Sequence, residues 1–125
     1  MFSSKQSKLE MIIGPESMVK GDIASKGTVK IDGQLEGNVT ADTVVIGESG
    51  AVNGDVTVKG MVIGGRITGI IRASDGVEIQ QKGVVNGDIF SAKLTIAEGA
   101  TFDGRSIMQR SKEIAYNAQE AVIES

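Results

Sequence analysis

Hydrophobic residues in this chain come in short alternating runs: Val29-Lys30-Ile31, Val44-Val45-Ile46, Met61-Val62-Ile63, Val77-Glu78-Ile79 and Leu94-Thr95-Ile96. β-Branched residues alternating over short stretches, bounded by Gly, Asp and Asn, predict short strands joined by tight turns. The pattern also repeats. Gly-Asp-(Ile/Val) occurs at even spacing, at Gly21-Asp22-Ile23, Gly54-Asp55-Val56 and Gly87-Asp88-Ile89. Half-step echoes lie between them at Leu35-Glu36-Gly37-Asn38-Val39 and Ile67-Thr68-Gly69-Ile70-Ile71, and Phe102-Asp103-Gly104-Arg105 closes the series. A fixed period of this length marks a stack of similar units.

Ankyrin repeats have the same period, about 33 residues, but need two helices per unit. No helical pattern occurs within these repeats. A hairpin meander gives no reason for a constant period. A β-solenoid does, because each coil places its strands directly above those of the coil before, about 4.8 Å away. The predicted fold is therefore an all-β, single-stranded β-solenoid of about six coils, a rod on the order of 30 Å long. Stacking predicts one inward column of Ile13, Ile31, Ile46, Ile63, Ile79 and Ile96. A second holds Val19, Leu35, Val52, Ile67, Val85 and Phe102, and a third Ile23, Val39, Val56, Ile71 and Ile89. From isoleucine column to turn glycine the path is longer in the first, third, fifth and sixth coils (13 to 21, 46 to 54, 79 to 87, 96 to 104). It is shorter in the second and fourth (31 to 37, 63 to 69). Long and short coils thus alternate, and the repeating unit is a pair.

The corner after the second column is a structural turn column of Gly21, Gly37, Gly54, Gly69, Gly87 and Gly104, each followed by Asp22, Asn38, Asp55, Ile70, Asp88 or Arg105. Glycine supplies the backbone angles of a tight corner. No two adjacent coils carry carboxylates there, which eases repulsion between aligned charges. A calcium ladder would need the Gly- and Asp-rich nonapeptide of β-rolls, and that spacing is missing.

At 125 residues the chain is one domain with tails: a β-helix over 12–107, flanked by 1–11 and 108–125. Aromatics make up 3% of it, so the core must come from Val, Ile, Leu and Ala in a regular array. There is no cysteine and no histidine, which removes thiolate chemistry and the commonest general base and metal ligand. A net charge of −3 without a basic stripe argues against nucleic acid. No apolar run approaches a membrane span, and no signal peptide opens the chain. Among solenoid enzymes, hexapeptide-repeat acyltransferases and solenoid carbonic anhydrases depend on histidines, and no P-loop pattern occurs. Nothing here points to catalysis or to a cofactor, metal or nucleotide. A non-polymerising solenoid that binds one soluble partner is the alternative.

Interest then moves to the ends. Open solenoid ends expose unpaired backbone and apolar core, which monomeric solenoids cover with polar caps. Here the first end reads Leu9-Glu10-Met11-Ile12-Ile13, apolar rather than capping, and the last coil offers Phe102. Ile12, Ile13, Phe102 and Arg105 are the candidate polymerisation residues. Two like ends joined by two-fold contacts give a filament without polarity. The leading segment carries apolar Met1 and Phe2 beside Lys5 and Lys8, a combination suited to peripheral binding at anionic lipid. Residues 108–125 lack Gly and have only a thin apolar stripe, which reads as a tail or a short helix.

The Phe-near-the-start basic tail, the entry Ile13-Gly14-Pro15, coils reading Val-x-Gly-Asp-Ile, and the last coil Glu98-Gly99-Ala100-Thr101-Phe102-Asp103-Gly104 together resemble the bactofilin family over about residues 1–107. The resemblance implies a right-handed β-helix and cytoskeletal filaments formed end to end, without polarity and without nucleotide. It implies that Phe102 matches the family's terminal-coil aromatic, and that Met1, Phe2, Lys5 and Lys8 match its membrane-targeting N-terminus. It further implies a cytoplasmic location at the inner face of the membrane, with cell-wall enzymes or chromosome-partition proteins as partners and cell shape as the process.

Overall fold

The computed structural model describes residues 9–108. Within them the chain is a parallel β-solenoid of about six coils with no helix. The first coil holds β1 (Leu9–Ile13), β2 (Met18–Lys20) and β3 (Ile23–Ala24), and the second β4 (Thr28–Ile31), β5 (Gln34–Glu36) and β6 (Val39–Thr40). Then come β7 (Thr43–Ile46), β8 (Ala51–Asn53), β9 (Val56–Ile63), β10 (Arg66–Ile79), β11 (Val84–Ser91), β12 (Leu94–Ile96) and β13 (Thr101–Met108). From β9 onward strands run around corners without a break. The long β10 covers the second and third faces of coil four and the first face of coil five.

Registers follow the predicted columns. On the first face Ile13 pairs with Ile31, Ile31 with Ile46, Ile46 with Ile63, Ile63 with Ile79, and Ile79 with Ile96. The second face stacks Val19, Leu35, Val52, Ile67, Val85 and Phe102. The third stacks Ile23, Val39, Val56, Ile71 and Ile89, and continues to Ser106. Side chains alternate in and out along each strand, so the three faces meet in one narrow core of Val, Ile, Leu, Ala and Met. Ser91 is the buried polar side chain of the described residues, and its hydroxyl donates to the Lys93 carbonyl at 3.0 Å.

The alternation of long and short coils has a single source, the corner between the first and second faces. That corner spans 14–17, 47–50, 80–83 and 97–100 in the long coils, but only 32–33 and 64–65 in the short ones. Each long corner closes a β-turn: Ser17 N donates to Gly14 O, Gly50 N to Gly47 O, Gly83 N to Gln80 O and Ala100 N to Ala97 O, at 2.8–3.1 Å. The short corner tucks against the long one before it. A Cβ on Gly33 would lie 2.1 Å from Gly14 O, and one on Gly65 would lie 2.2 Å from Gly47 O. A pair of coils, one long and one short, is therefore the unit behind the recurring Gly-Asp-(Ile/Val).

Candidate polymerisation interface

The turn column fixes how coils sit on one another. Gly21, Gly37, Gly54, Gly69, Gly87 and Gly104 all have φ between +133 and +154°, a region that L side chains rarely adopt. In every coil after the first, a Cβ at this glycine would collide with the equivalent glycine's carbonyl in the coil before, at 1.7–2.1 Å. At Gly21 nothing lies within 4 Å, because no coil precedes it among the described residues. The residue after each glycine builds a ladder along the corner. Asp22 Oδ1 accepts the Asn38 amide N–H at 3.0 Å, Asn38 Oδ1 that of Asp55 at 3.1 Å, and Asp55 Oδ1 that of Ile70 at 3.3 Å. Ile70 has no side-chain acceptor, and the ladder stops there.

It resumes at the last coil in another form. The Arg105 guanidinium donates to both Asp88 carboxylate oxygens, at 2.9 Å from Nη2 and 3.4 Å from Nε. These hydrogen bonds hold the Asp88 carboxyl below the usual carboxylate range, and the carboxylate in turn raises Arg105. Arg105 is thus the outer partner of a coil-to-coil ion pair on the corner, with its side chain 74% exposed.

The two ends are open. Among the described residues β1, β2 and β3 pair only with the second coil, and β12 and β13 only with the fifth, so the outer backbone edges of the terminal strands have no partner there. Apolar side chains sit beside those edges. At the first end Met11, Ile12 and Met18 are 41%, 58% and 54% exposed, and at the last end Ile96 and Met108 are 46% and 53% exposed. Ile96 belongs to the same inward column as Ile31, Ile46, Ile63 and Ile79, which are at most 1% exposed. It differs from them in having no coil above it among the described residues.

The candidate interface residues divide accordingly. Ile12 points outward at the first coil, and Phe102 lies half-buried over Val85 at the last. Ile13 is sealed at 3% exposure and forms the floor of the first coil rather than its surface. Met11, Met18, Ile96 and Met108 were not singled out from sequence. For Ile96 the signal was its place as the last residue of its column, paired below with Ile79 and with no partner above among the described residues. Met1, Phe2, Lys5 and Lys8 lie outside the described residues. Among the described residues no helix is long and apolar enough to cross a membrane, and no group of three or more acidic side chains converges as metal ligands would.

A profile of the family described as polymer-forming cytoskeletal bactofilins matches residues 11–107. The chain belongs to the bactofilin family. Its coordinates also resemble those of the Thermus thermophilus bactofilin determined by cryo-electron microscopy as double helical filaments. That match has a TM-score of 0.73 at 26% identity, and covers 80% of this chain and all of the other. No curated protein sequence matches. Membership in a polymer-forming family fits the geometry above, in which the middle of the solenoid is sealed and both ends are not.

Proposed function

We propose that this chain is a bacterial cytoskeletal scaffold that assembles end to end, like end against like end, into non-polar filaments without nucleotide. The observation that carries the reading is the pair of open ends, above all Ile96, a core-column residue left 46% exposed beside free strand edges. Stacking another solenoid there continues the ladder and covers the apolar residues, the same energetics that hold coil on coil inside the protomer. Residues 1–8 then act as a peripheral anchor at the inner face of the cytoplasmic membrane, where many weak tails along one filament add by multivalency. A filament so held positions envelope-building or other client proteins.

Negative-stain microscopy of purified protein without nucleotide tests the assembly; no filaments over a wide range of salt and protein concentration would overturn it. Phe102→Arg and Ile96→Arg should each abolish filaments while leaving the β-rich circular dichroism intact, because a charge would be buried unpaired at the junction. Deleting residues 1–8 should abolish co-sedimentation with anionic liposomes and leave filaments unchanged. Retained lipid binding would remove the anchor from the reading.

A further inference from the structure

Outward positions on the first face form a straight column. Its register runs Ile12, Lys30, Val45, Val62, Glu78, Thr95, one residue per coil. The middle of this column, midway along the rod, is apolar and only half-buried, and a cation and an anion stand one coil to either side. Flanking positions are small: Thr43 and Gly60 pair on one side, and Gly47 and Gly64 follow Ile46 and Ile63 on the other. Gly60 is informative. It lies inside β9, its φ is ordinary, and a Cβ there would meet nothing within 4 Å. The protomer thus has room for a side chain at this position, where β9 rounds the corner from the third face to the first, and the bare backbone leaves that margin of the face open to a close neighbour.

We propose that this face is a lateral docking surface for a second copy of the chain, packed face to face and antiparallel. Place a two-fold axis in the contact plane, perpendicular to the rod and level with the gap between coils three and four. Val45 then meets the other copy's Val62, Gly47 meets Gly64, Thr43 meets Gly60, and Lys30 meets Glu78. The surface is complementary to itself, as an isologous contact requires. Parallel rods would instead set Lys30 against Lys30 and Glu78 against Glu78, and like charges in contact are penalised. Glu78 has no ion-pair partner among the described residues, whereas Lys30 also contacts Asp32 at 2.9 Å. At about 4.8 Å per coil and about 3.3 Å per residue the face measures roughly 24 by 13 Å. That is on the order of 300 Å² per copy, well under the ~800 Å² of a standard interface. Free protomers therefore do not dimerise through it, while filaments, which repeat the face along their length, pair by multivalency. End-to-end contacts leave the face uncovered, and the similar Thermus thermophilus protein forms double helical filaments.

The proposal rests on end-to-end assembly for its readout, and the test separates the two. Wild-type filaments are imaged at low salt, and their width and mass per length are compared with those of Glu78→Lys and of the exchange Lys30→Glu with Glu78→Lys. Paired filaments are expected for the wild type, single filaments of half the mass per length for Glu78→Lys, and restored pairing for the exchange. Gly60→Leu, whose Cβ meets nothing within 4 Å in the protomer, should also yield single filaments. Unpaired wild-type filaments, or pairing that survives Glu78→Lys, would overturn the lateral contact and leave end-to-end assembly standing. Absence of any filament would overturn end-to-end assembly itself. Pairing lost in Glu78→Lys but not regained in the exchange would reject the antiparallel arrangement.

Discussion

The turn column offers the sharpest test of how the solenoid is held together, through Gly54→Ala read against Gly21→Ala. Both positions have φ well into positive territory, +154° and +133°. Alanine at either is therefore strained, by about 1–3 kcal/mol. Only at Gly54 does the new Cβ also strike something, the Gly37 carbonyl oxygen at 1.9 Å and its carbon at 2.7 Å. That carbonyl is backbone fixed by coil pairing on both sides, so it cannot swing away as a side-chain tip would. Forcing a methyl into such a packed place costs a further ~1–3 kcal/mol. Gly54→Ala should therefore destabilise by roughly 2–6 kcal/mol and Gly21→Ala by only the first part. The difference corresponds to about 4–12 °C in melting temperature for a domain of this size. Thermal unfolding by far-ultraviolet circular dichroism, at one low protein concentration so that assembly does not contribute, measures both. Equal losses in the two variants would refute the idea that coil-on-coil contact, rather than backbone angle alone, makes glycine necessary in this column.

The isoleucine column gives a second contrast. Ile63→Ala in the sealed middle should cost about 2–5 kcal/mol of stability, whereas Ile96→Ala, 46% exposed at the open end, should cost roughly 1 kcal/mol. Filament yield should rank the other way at temperatures where both variants stay folded, and sedimentation alongside urea denaturation reads both orders. Arg105→Gln frees Asp88 from the guanidinium that lowers its proton affinity. A carboxyl held low when folded stabilises the protein above its unfolded value, and the contribution is lost as pH falls through the folded one. The variant should accordingly be less stable than the parent near neutral pH and converge with it in acid; urea midpoints with a constant offset between neutral and strongly acidic buffer would reject the pair's role.

Most of the fold was legible because a solenoid turns three-dimensional neighbours into residues one coil apart in sequence. Once Gly-Asp-(Ile/Val) fixed the pitch, Ile31 over Ile13 or Val52 over Leu35 followed from counting, and the observed registers agree. Strand continuity was less legible. The sequence pattern suggested separate short strands, with Val77-Glu78-Ile79 apart from Ile67-Thr68-Gly69-Ile70-Ile71, yet the backbone runs as one strand from Arg66 to Ile79 through the corners between them. The corner side chains were legible as an alternation of charge, but not as acceptors. That Asp22 and Asn38 reach the amide of the next coil depends on the angle at which the preceding glycine presents them. Of the ends, Phe102 stood out because aromatics are scarce, while Ile96 hid among isoleucines that look identical and are buried. Alternation turns Ile13 inward, where it is 3% exposed, and Ile12 outward, while Met11, level with the buried Val29, is exposed because it lies at the end of the stack.

The same regularity explains why function concentrates where it does. Inside the rod every coil meets the same demand, apolar columns inward and glycine at the corner, and a change at one coil is felt by both neighbours. Two places escape that demand. A terminal coil has a neighbour on one side only, so Ile96 can stay exposed and available to another molecule at little cost to the protomer. Outward columns carry a weaker packing requirement, so Val45 and Val62, half-buried, with Lys30 and Glu78 placed symmetrically about them, are free to serve a contact outside the protomer. Ends and first face are perpendicular surfaces, which lets one lengthen a filament while the other joins two filaments. The two contacts can therefore be disabled separately, and variants that break one should leave the other's signature intact in the same micrographs.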